Sequence, residues 1–206
     1  MMTPPTAESV ELDESELLHL ALHAMGNDRH DESMRLLKRA LNAFPGSARA
    51  HYLLGAEHAQ IGMYDRAVTE MTEAVRLDPT LAAAHFQLGL LHVTAGRVRE
   101  AQAAWLPLDR LPPEEPLRLF KSAMLHLVRN ELAACAKELR EGIARNRLNE
   151  SLNDDMRRLL ADVEQRLGGS AAAAGEQTNP PLQVPAPNRQ MLLSTYDRNQ
   201  DDIATD

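Results

Sequence analysis

Three prolines, Pro45, Pro79 and Pro113, stand 34 residues apart, and the residues between them keep the same step. Leu20-Ala21, Leu54-Gly55 and Leu88-Gly89 are in phase, as are His58, His92 and His126, and Gly62 with Gly96. Small residues recur at Ser33, Ala67, Ala101 and Cys135. Larger ones recur at Leu37, Met71, Trp105 and Leu139, and a further series runs through Ala40, Ala74, Leu108 and Gly142. A fixed period of this length limits the fold more tightly than any composition could. Each copy is too small to bury its own apolar face, so the copies must stack into an array in which every unit touches only its neighbours.

Each copy carries two apolar runs at helical spacing, separated by a turn. The first unit (14–46) predicts a helix from Glu14 to about Met25, with Leu17, Leu20, Ala21 and Ala24 as its stripe. Gly26-Asn27-Asp28 ends that helix, because these residues accept turn and left-handed conformations. A second helix runs from about His30 to Asn42, with Ser33, Leu37, Ala40 and Leu41 inward. Units two (47–79) and three (80–113) repeat the scheme, with Ser47 and Thr80 as expected N-caps. Pro107 removes a backbone donor inside the third unit's second helix, which should kink or stop near Leu106.

The fourth unit (116–146) opens on Pro113-Glu114-Glu115-Pro116, proline and acids being suited to a helix start. It is degenerate: Asn130 replaces the turn glycine and the closing proline is missing. One more amphipathic helix follows, from about Ser151 to Leu167, and Gly168-Gly169 should stop it. Its polar outer side suits the last element of a stack. Residues 1–13 read as a loose acidic leader, and residues 168–206 as a Pro/Ala/Gly linker with an acidic tail. Met191-Leu192-Leu193-Ser194-Thr195-Tyr196 is the apolar cluster of that tail. The expected fold is therefore all-α: three to four helix-turn-helix repeats and a capping helix.

Composition agrees with that reading and excludes others. The chain is 44% hydrophobic but only 3% aromatic, a palette for helices packed closely through Leu, Ala, Val and Met. No apolar run reaches the roughly 18 residues of a membrane span and no leader of signal-peptide type opens the chain, which points to the cytoplasm. A single cysteine allows neither an internal disulfide framework nor a cysteine-based zinc site. The net charge is −8 over 206 residues. Residues 1–16 hold five acids and no bases, and residues 168–206 hold five acids and two bases, so the segment between balances at twenty against twenty. That distribution contains no basic stripe for a nucleic-acid backbone.

The repeated residues resemble the tetratricopeptide repeat. Its signature is a large residue, Leu-Gly and an aromatic in the first helix, then Ala, an aromatic and Ala in the second, then proline. Unit two offers His51, Leu54-Gly55, His58, Ala67, Met71, Ala74 and Pro79. Unit three offers His85, Leu88-Gly89, His92, Ala101, Trp105, Leu108 and Pro113. The resemblance covers about residues 14–146 and implies a right-handed α-solenoid. Histidine stands at two first-helix positions where the family has an aromatic.

The histidines are the main chemical temptation. His51 and His58 lie seven apart, as do His85 and His92; two helical turns put such pairs about 10 Å apart, too far for one metal ion. They read instead as fillers of the aromatic slot, hydrogen-bonded within the repeat. His19 and His23 have an i, i+4 spacing but no third ligand nearby in sequence. Cys135 falls at a small packing slot and reads as buried and inert. No phosphate loop, nucleophile–base pair or paired-carboxylate frame is present, so the expected function is non-enzymatic, with no cofactor and no metal.

In the tetratricopeptide family a second first-helix stripe lines a concave groove that receives peptides or partner helices. Carried over by position, this stripe is Leu18, Leu22 and Met25, then Tyr52 and Ala56, then Phe86, Leu90 and Val93, then Phe120, Met124 and Leu127. Family members that clamp a partner's terminal carboxylate use Lys, Asn and Arg there; Leu18, Leu22, Leu53, Ala83 and Gln87 hold those places instead. The implied guest is a hydrophobic helix or peptide of a partner protein, and the implied role that of an adaptor or chaperone. In size, acidic ends and apolar concave face the chain is similar to small repeat chaperones of bacterial secretion systems. Three alternatives stand beside this. The stripe is core between successive first helices; Met191–Tyr196 folds back into the groove; or the chain is a structural assembly subunit of a secretion or envelope-associated machine, oligomerising through Leu148, Leu152 and Met156.

Overall fold

A computed structural model describes residues 12–147 and 149–172. Among these residues every regular element is helical: α1 (Glu14–Gly26), α2 (His30–Ala43), α3 (Ala48–Gln60), α4 (Tyr64–Leu77), α5 (Ala82–Thr94), α6 (Val98–Trp105), a 3-10 helix (Leu106–Arg110), α7 (Pro116–Val128), α8 (Leu132–Arg145) and α9 (Glu150–Ala172). Residues 1–11, Leu148 and the whole of the linker and tail after Ala172, including Met191–Tyr196, lie outside the described residues.

Odd and even helices pair as antiparallel hairpins, and α2, α4 and α8 also pack on the following odd helix, whereas α7 meets the 3-10 helix and α5. The turn inside each hairpin is set by one left-handed residue. These are Asp28 (φ 57°), Gly62 (77°), Gly96 (73°) and Asn130 (59°), again 34 apart. Glycine takes this conformation freely, and Asn and Asp are the side chains that tolerate it best. Asn130 thus does the work of the missing glycine.

Close approach within each hairpin depends on small residues. A Cβ placed on Gly89 would lie 1.9 Å from Trp105 Nε1, so α5 and α6 can seat Trp105 only because Gly89 has no side chain. Trp105 is fully buried, its ring stacked near Phe86 (centroids 6.3 Å apart) and its Nε1–H donating to the Phe86 carbonyl at 2.9 Å. Burying a side chain of this size contributes about 3 kcal/mol, and the hydrogen bond removes the penalty of burying its N–H. The Phe120 ring sits against Gly142 in the same manner.

Four local expectations need correction or refinement. Ser47 caps α3, accepting from Ala50 N–H, but Thr80 caps nothing. The residue one repeat after Ser47 is Leu81, and Thr80 instead donates its N–H and hydroxyl to Asp78 Oδ1 (2.9 and 2.6 Å). Leu20 is 44% exposed, although its repeat mate Leu54 is buried. Leu54 lies against Leu41 and Lys38 of the preceding repeat, and among the described residues no repeat precedes α1. At Pro107 the α-helix stops at Trp105 and the chain continues as the 3-10 helix, as a missing donor inside the helix requires. Gly168-Gly169 does not stop the last helix, which runs through both to Ala172. Glycine in a helix costs about 1 kcal/mol relative to alanine but ends it only by turning left-handed, and Gly168 does not.

The core falls into two clusters that meet at α5: Ala84, Leu88 and Leu91 close the first, whereas Phe86 and Leu90 open the second. α9 closes the second with Leu152, Met156, Leu159 and Val163, all buried. Its entry is fixed by three buried asparagines. Asn146 Nδ2 donates to Asn153 Oδ1 (3.0 Å) and to the Asn149 carbonyl (2.9 Å), Asn153 Nδ2 donates to the Asn146 carbonyl (2.7 Å), and Asn149 Oδ1 accepts from Leu152 N–H.

Candidate binding surface

The face of α3 turned towards α4 is marked by Gly55, whose absent Cβ would meet Met71 and Ala67; the matching face of α5 is marked by Gly89 against Trp105. An α-helix turns about 100° per residue. Leu53 and Gln87, two residues earlier, therefore point to the opposite side, and Ala56 and Leu90 flank them. Arg49, Leu53, Ala56 and Gln60 on α3, with Ala83, Gln87, Leu90 and Thr94 on α5, form the inner wall, the side of the odd helices away from their partners. Ser15, His19 and Leu22 continue it on α1, and Lys121 and Met124 on α7.

Of the eleven stripe residues inferred from the sequence, nine are buried: Leu18, Met25, Tyr52, Ala56, Phe86, Leu90, Phe120, Met124 and Leu127. Leu22 and Val93 are half-buried. The stripe is thus no open trough, and it divides by direction. Phe86 turns towards Trp105 and Phe120 towards Gly142, so both rings join an odd helix to its own even partner. Leu22, Ala56, Leu90 and Met124 lie on the inner edge. Leu53 and Gln87, which the sequence offered only as replacements of clamp residues, stand at the wall's centre. The signal that could have placed them was their half-turn offset from the Leu-Gly pair.

The wall is closely covered at its middle. Residues 52–59 of α3 and 83–91 of α5 are buried without a break, more than two full turns of each helix. Gln87 is 2% exposed, and its Oε1 has no hydrogen-bond partner among the described residues. Towards the N-terminal end the wall opens into a cleft of about 780 Å³ lined by Asp13, Glu14, Ser15, Leu18, Ser47 and Arg49, among others.

The histidines take different partners. His51 Nδ1 lies 2.7 Å from Glu70 Oε2, and His85 lies between the Ala104 and Pro79 carbonyls (3.0 and 3.1 Å). His58 and His92 occupy the second slot of their repeats, but the Nδ1 of each is buried with no hydrogen-bond partner, contrary to expectation. Burial pushes both below the usual imidazole value. His19 and His23 are exposed on α1, and among the described residues no group of three or more His, Cys, Asp or Glu is placed to hold a metal ion. Cys135 is buried, and burial pushes its thiol up to about 11, so thiolate chemistry is suppressed.

An uninterrupted helix-pair stack with one wall of odd helices defines an α-solenoid of the kind that presents a surface to other proteins. Its family follows from the sequence match: the tetratricopeptide repeat model matches residues 18–82 and 57–111, and the chain is a tetratricopeptide repeat protein. No curated protein matches it in sequence. Among solved structures it is similar to two of MamA. One is 20% identical, covering 64% of this chain and 77% of that one, with a TM-score of 0.54. The other is 16% identical, covering 81% of this chain and 98% of that one, also with a TM-score of 0.54. At such identities the likeness is one of fold. The repeat fold supports a protein-interaction or scaffold module. No described helix is long and apolar enough to cross a membrane.

Proposed function

We propose that the protein is a non-enzymatic adaptor or chaperone-like module that receives an apolar helix or extended segment of a partner on its inner wall. The observation that carries this reading is the composition of the wall's centre: Leu53, Ala56, Ala83 and Leu90 with a single amide, Gln87. An apolar centre with one amide suits a hydrophobic segment, the charged side chains Arg49 and Lys121 standing only towards the ends of the wall. Balanced charge over 17–167 agrees, since no strong field would steer a charged partner. The alternative of a permanent oligomer through the capping helix has less support. Leu152 and Met156 are fully used in covering the last repeat.

The test is photo-crosslinking in cells that contain the protein, with benzoylphenylalanine in place of half-buried Leu22 or exposed Thr94. Both are inner-wall positions that tolerate a new ring. The expected product joins the wall to an apolar segment of one partner, and Leu22→Asp with Thr94→Asp should remove it while helical circular dichroism is retained. Crosslinks obtained solely from outer positions on α2 or α4 would refute the reading.

A further inference from the structure

The middle of the inner wall is buried, yet no described helix lies across it. On α3 the packed elements are α2 and α4 with the edge of α1. On α5 they are α4, α6 and the 3-10 helix with the edge of α7. These account for the sides of each helix turned towards the even row and along the stack. Leu53, Ala56, Ala83 and Leu90 join the two core clusters at their flanks, yet together with Gln87 they face the other way and are buried there as well. Gln87 Oε1 adds a second requirement. A buried carbonyl-type oxygen without a donor costs about 1–3 kcal/mol, and the apolar side chains around it cannot supply one. An occupant that is apolar and carries a hydrogen-bond donor would meet both conditions, and the side chains and backbone N–H groups of an extended hydrophobic peptide do so.

The chain itself contains such a peptide. After Ala172 it continues for 34 residues, whose one run of consecutive large apolar side chains is Met191-Leu192-Leu193. Eighteen residues separate Ala172 from Met191, with prolines at 180, 181, 185 and 187. At about 3.1 Å per residue for proline-rich chain, such a spacer reaches roughly 60 Å, whereas a 13-residue helix such as α3 or α5 is only about 20 Å long. The acidic leader offers no equivalent, since Met1-Met2 is followed by Pro4-Pro5 and then acids.

We propose that Met191-Leu192-Leu193 of the same chain occupies the inner wall over Leu53, Ala56 and Leu90, with a backbone N–H donated to Gln87 Oε1, and competes there with an outside guest. The competition rests on the adaptor reading above; the docking does not. A tethered segment acts at an effective concentration in the millimolar range, so a guest binds tightly only if it displaces the triplet, and its apparent affinity falls by the fraction of chains left open.

The experiment uses the full chain with Ser194→Cys carrying a nitroxide spin label, the buried Cys135 being protected by its raised pKa and burial. Paramagnetic broadening is expected for Leu53, Ala56, Gln87 and Leu90 and not for the outer faces of α2 and α4. No broadening of the wall overturns the proposal. So does broadening seen only when spin-labelled and isotope-labelled chains are mixed, because the occupant is then a second copy. In the full chain bearing Met191→Asp, Leu192→Asp and Leu193→Asp, broadening should vanish and guest crosslinking at Leu22 should rise about 10-fold or more. Crosslinking that stays unchanged in that variant, with a guest present, overturns the competition. Broadening that persists where wall crosslinking finds no guest upholds the docking and removes only the adaptor reading.

Discussion

At His58 and His92 the second-slot side chain has been placed without a partner for Nδ1, and a titration follows from it. Burial is the larger cause of the lowered value at both; at His58 the nearby Arg66 and Lys38 cations add to it against Glu70, and at His92 Arg97 adds to it against Glu100. A histidine whose folded value lies below its unfolded value of 6.5 is neutral in both states at high pH. As the pH falls below 6.5 the unfolded chain takes up the proton first, so the stability held above 6.5 is lost progressively down to the folded value. Thermal unfolding should therefore shift to lower temperature between pH 7.5 and 5.5. The shift should be smaller in His58→Phe and His92→Phe, whose rings fill the same slot without titrating. Equal slopes in wild type and variants would show that these two imidazoles are not the cause. That both residues occupy the aromatic slot was legible from the 34-residue step. That they lack partners was not, because hydrogen bonding is decided by atoms from other helices.

Among the elements, the junction of α8 and α9 shows how a repeat array ends. The 34-residue step from Pro113 arrives at Arg147, not proline, and the asparagine trio of residues 146, 149 and 153 turns the chain instead. Asn153→Ala leaves the Asn146 carbonyl without its donor in a buried place and takes one of two acceptors from the Asn146 amide, which should cost about 1–3 kcal/mol. For a chain of this size that is a fall in unfolding temperature of roughly 2–12 °C, measurable by calorimetry. Sequence reading found α9 as an amphipathic helix with its apolar side inward, since periodicity is local. It missed the asparagines, because three polar residues at a junction look like any loop. It also ended the helix at Gly168-Gly169, where glycine's cost was smaller than the gain from continuing.

For the whole molecule, nearest-neighbour packing sets how it opens. α1 touches α2 and only the edge of α3, and α9 leans on α8, whereas α3, α4 and α5 each lie between neighbours on both sides. In such an array a terminal unit opens at the cost of one interface, a central unit at the cost of two. Native-state hydrogen exchange should be slowest in α3, α4 and α5 and fastest in α1, α2 and α9. Uniform protection across the nine described α-helices would mean a single cooperative block instead. The closed middle of the wall belongs to the same scale. The stripe that family likeness assigned to a groove is partly intra-hairpin core at Phe86 and Phe120, and its true centre at Leu53 and Gln87 emerges only once helix directions are known.

Features that depend on residues close along the chain can be read from the linear pattern: helix pairs, a turn residue every 34 positions, the break at Pro107 and the amphipathic last helix. Backbone preference and helical spacing act over one or two turns, so a linear pattern records them. Which apolar residues meet a partner helix, which belong to the inner wall, and why Leu20 is exposed where Leu54 is covered follow from the packing in space. Burial depends on what stands opposite in space, and in a stacked array that is set by the neighbouring repeat or by its absence at an end.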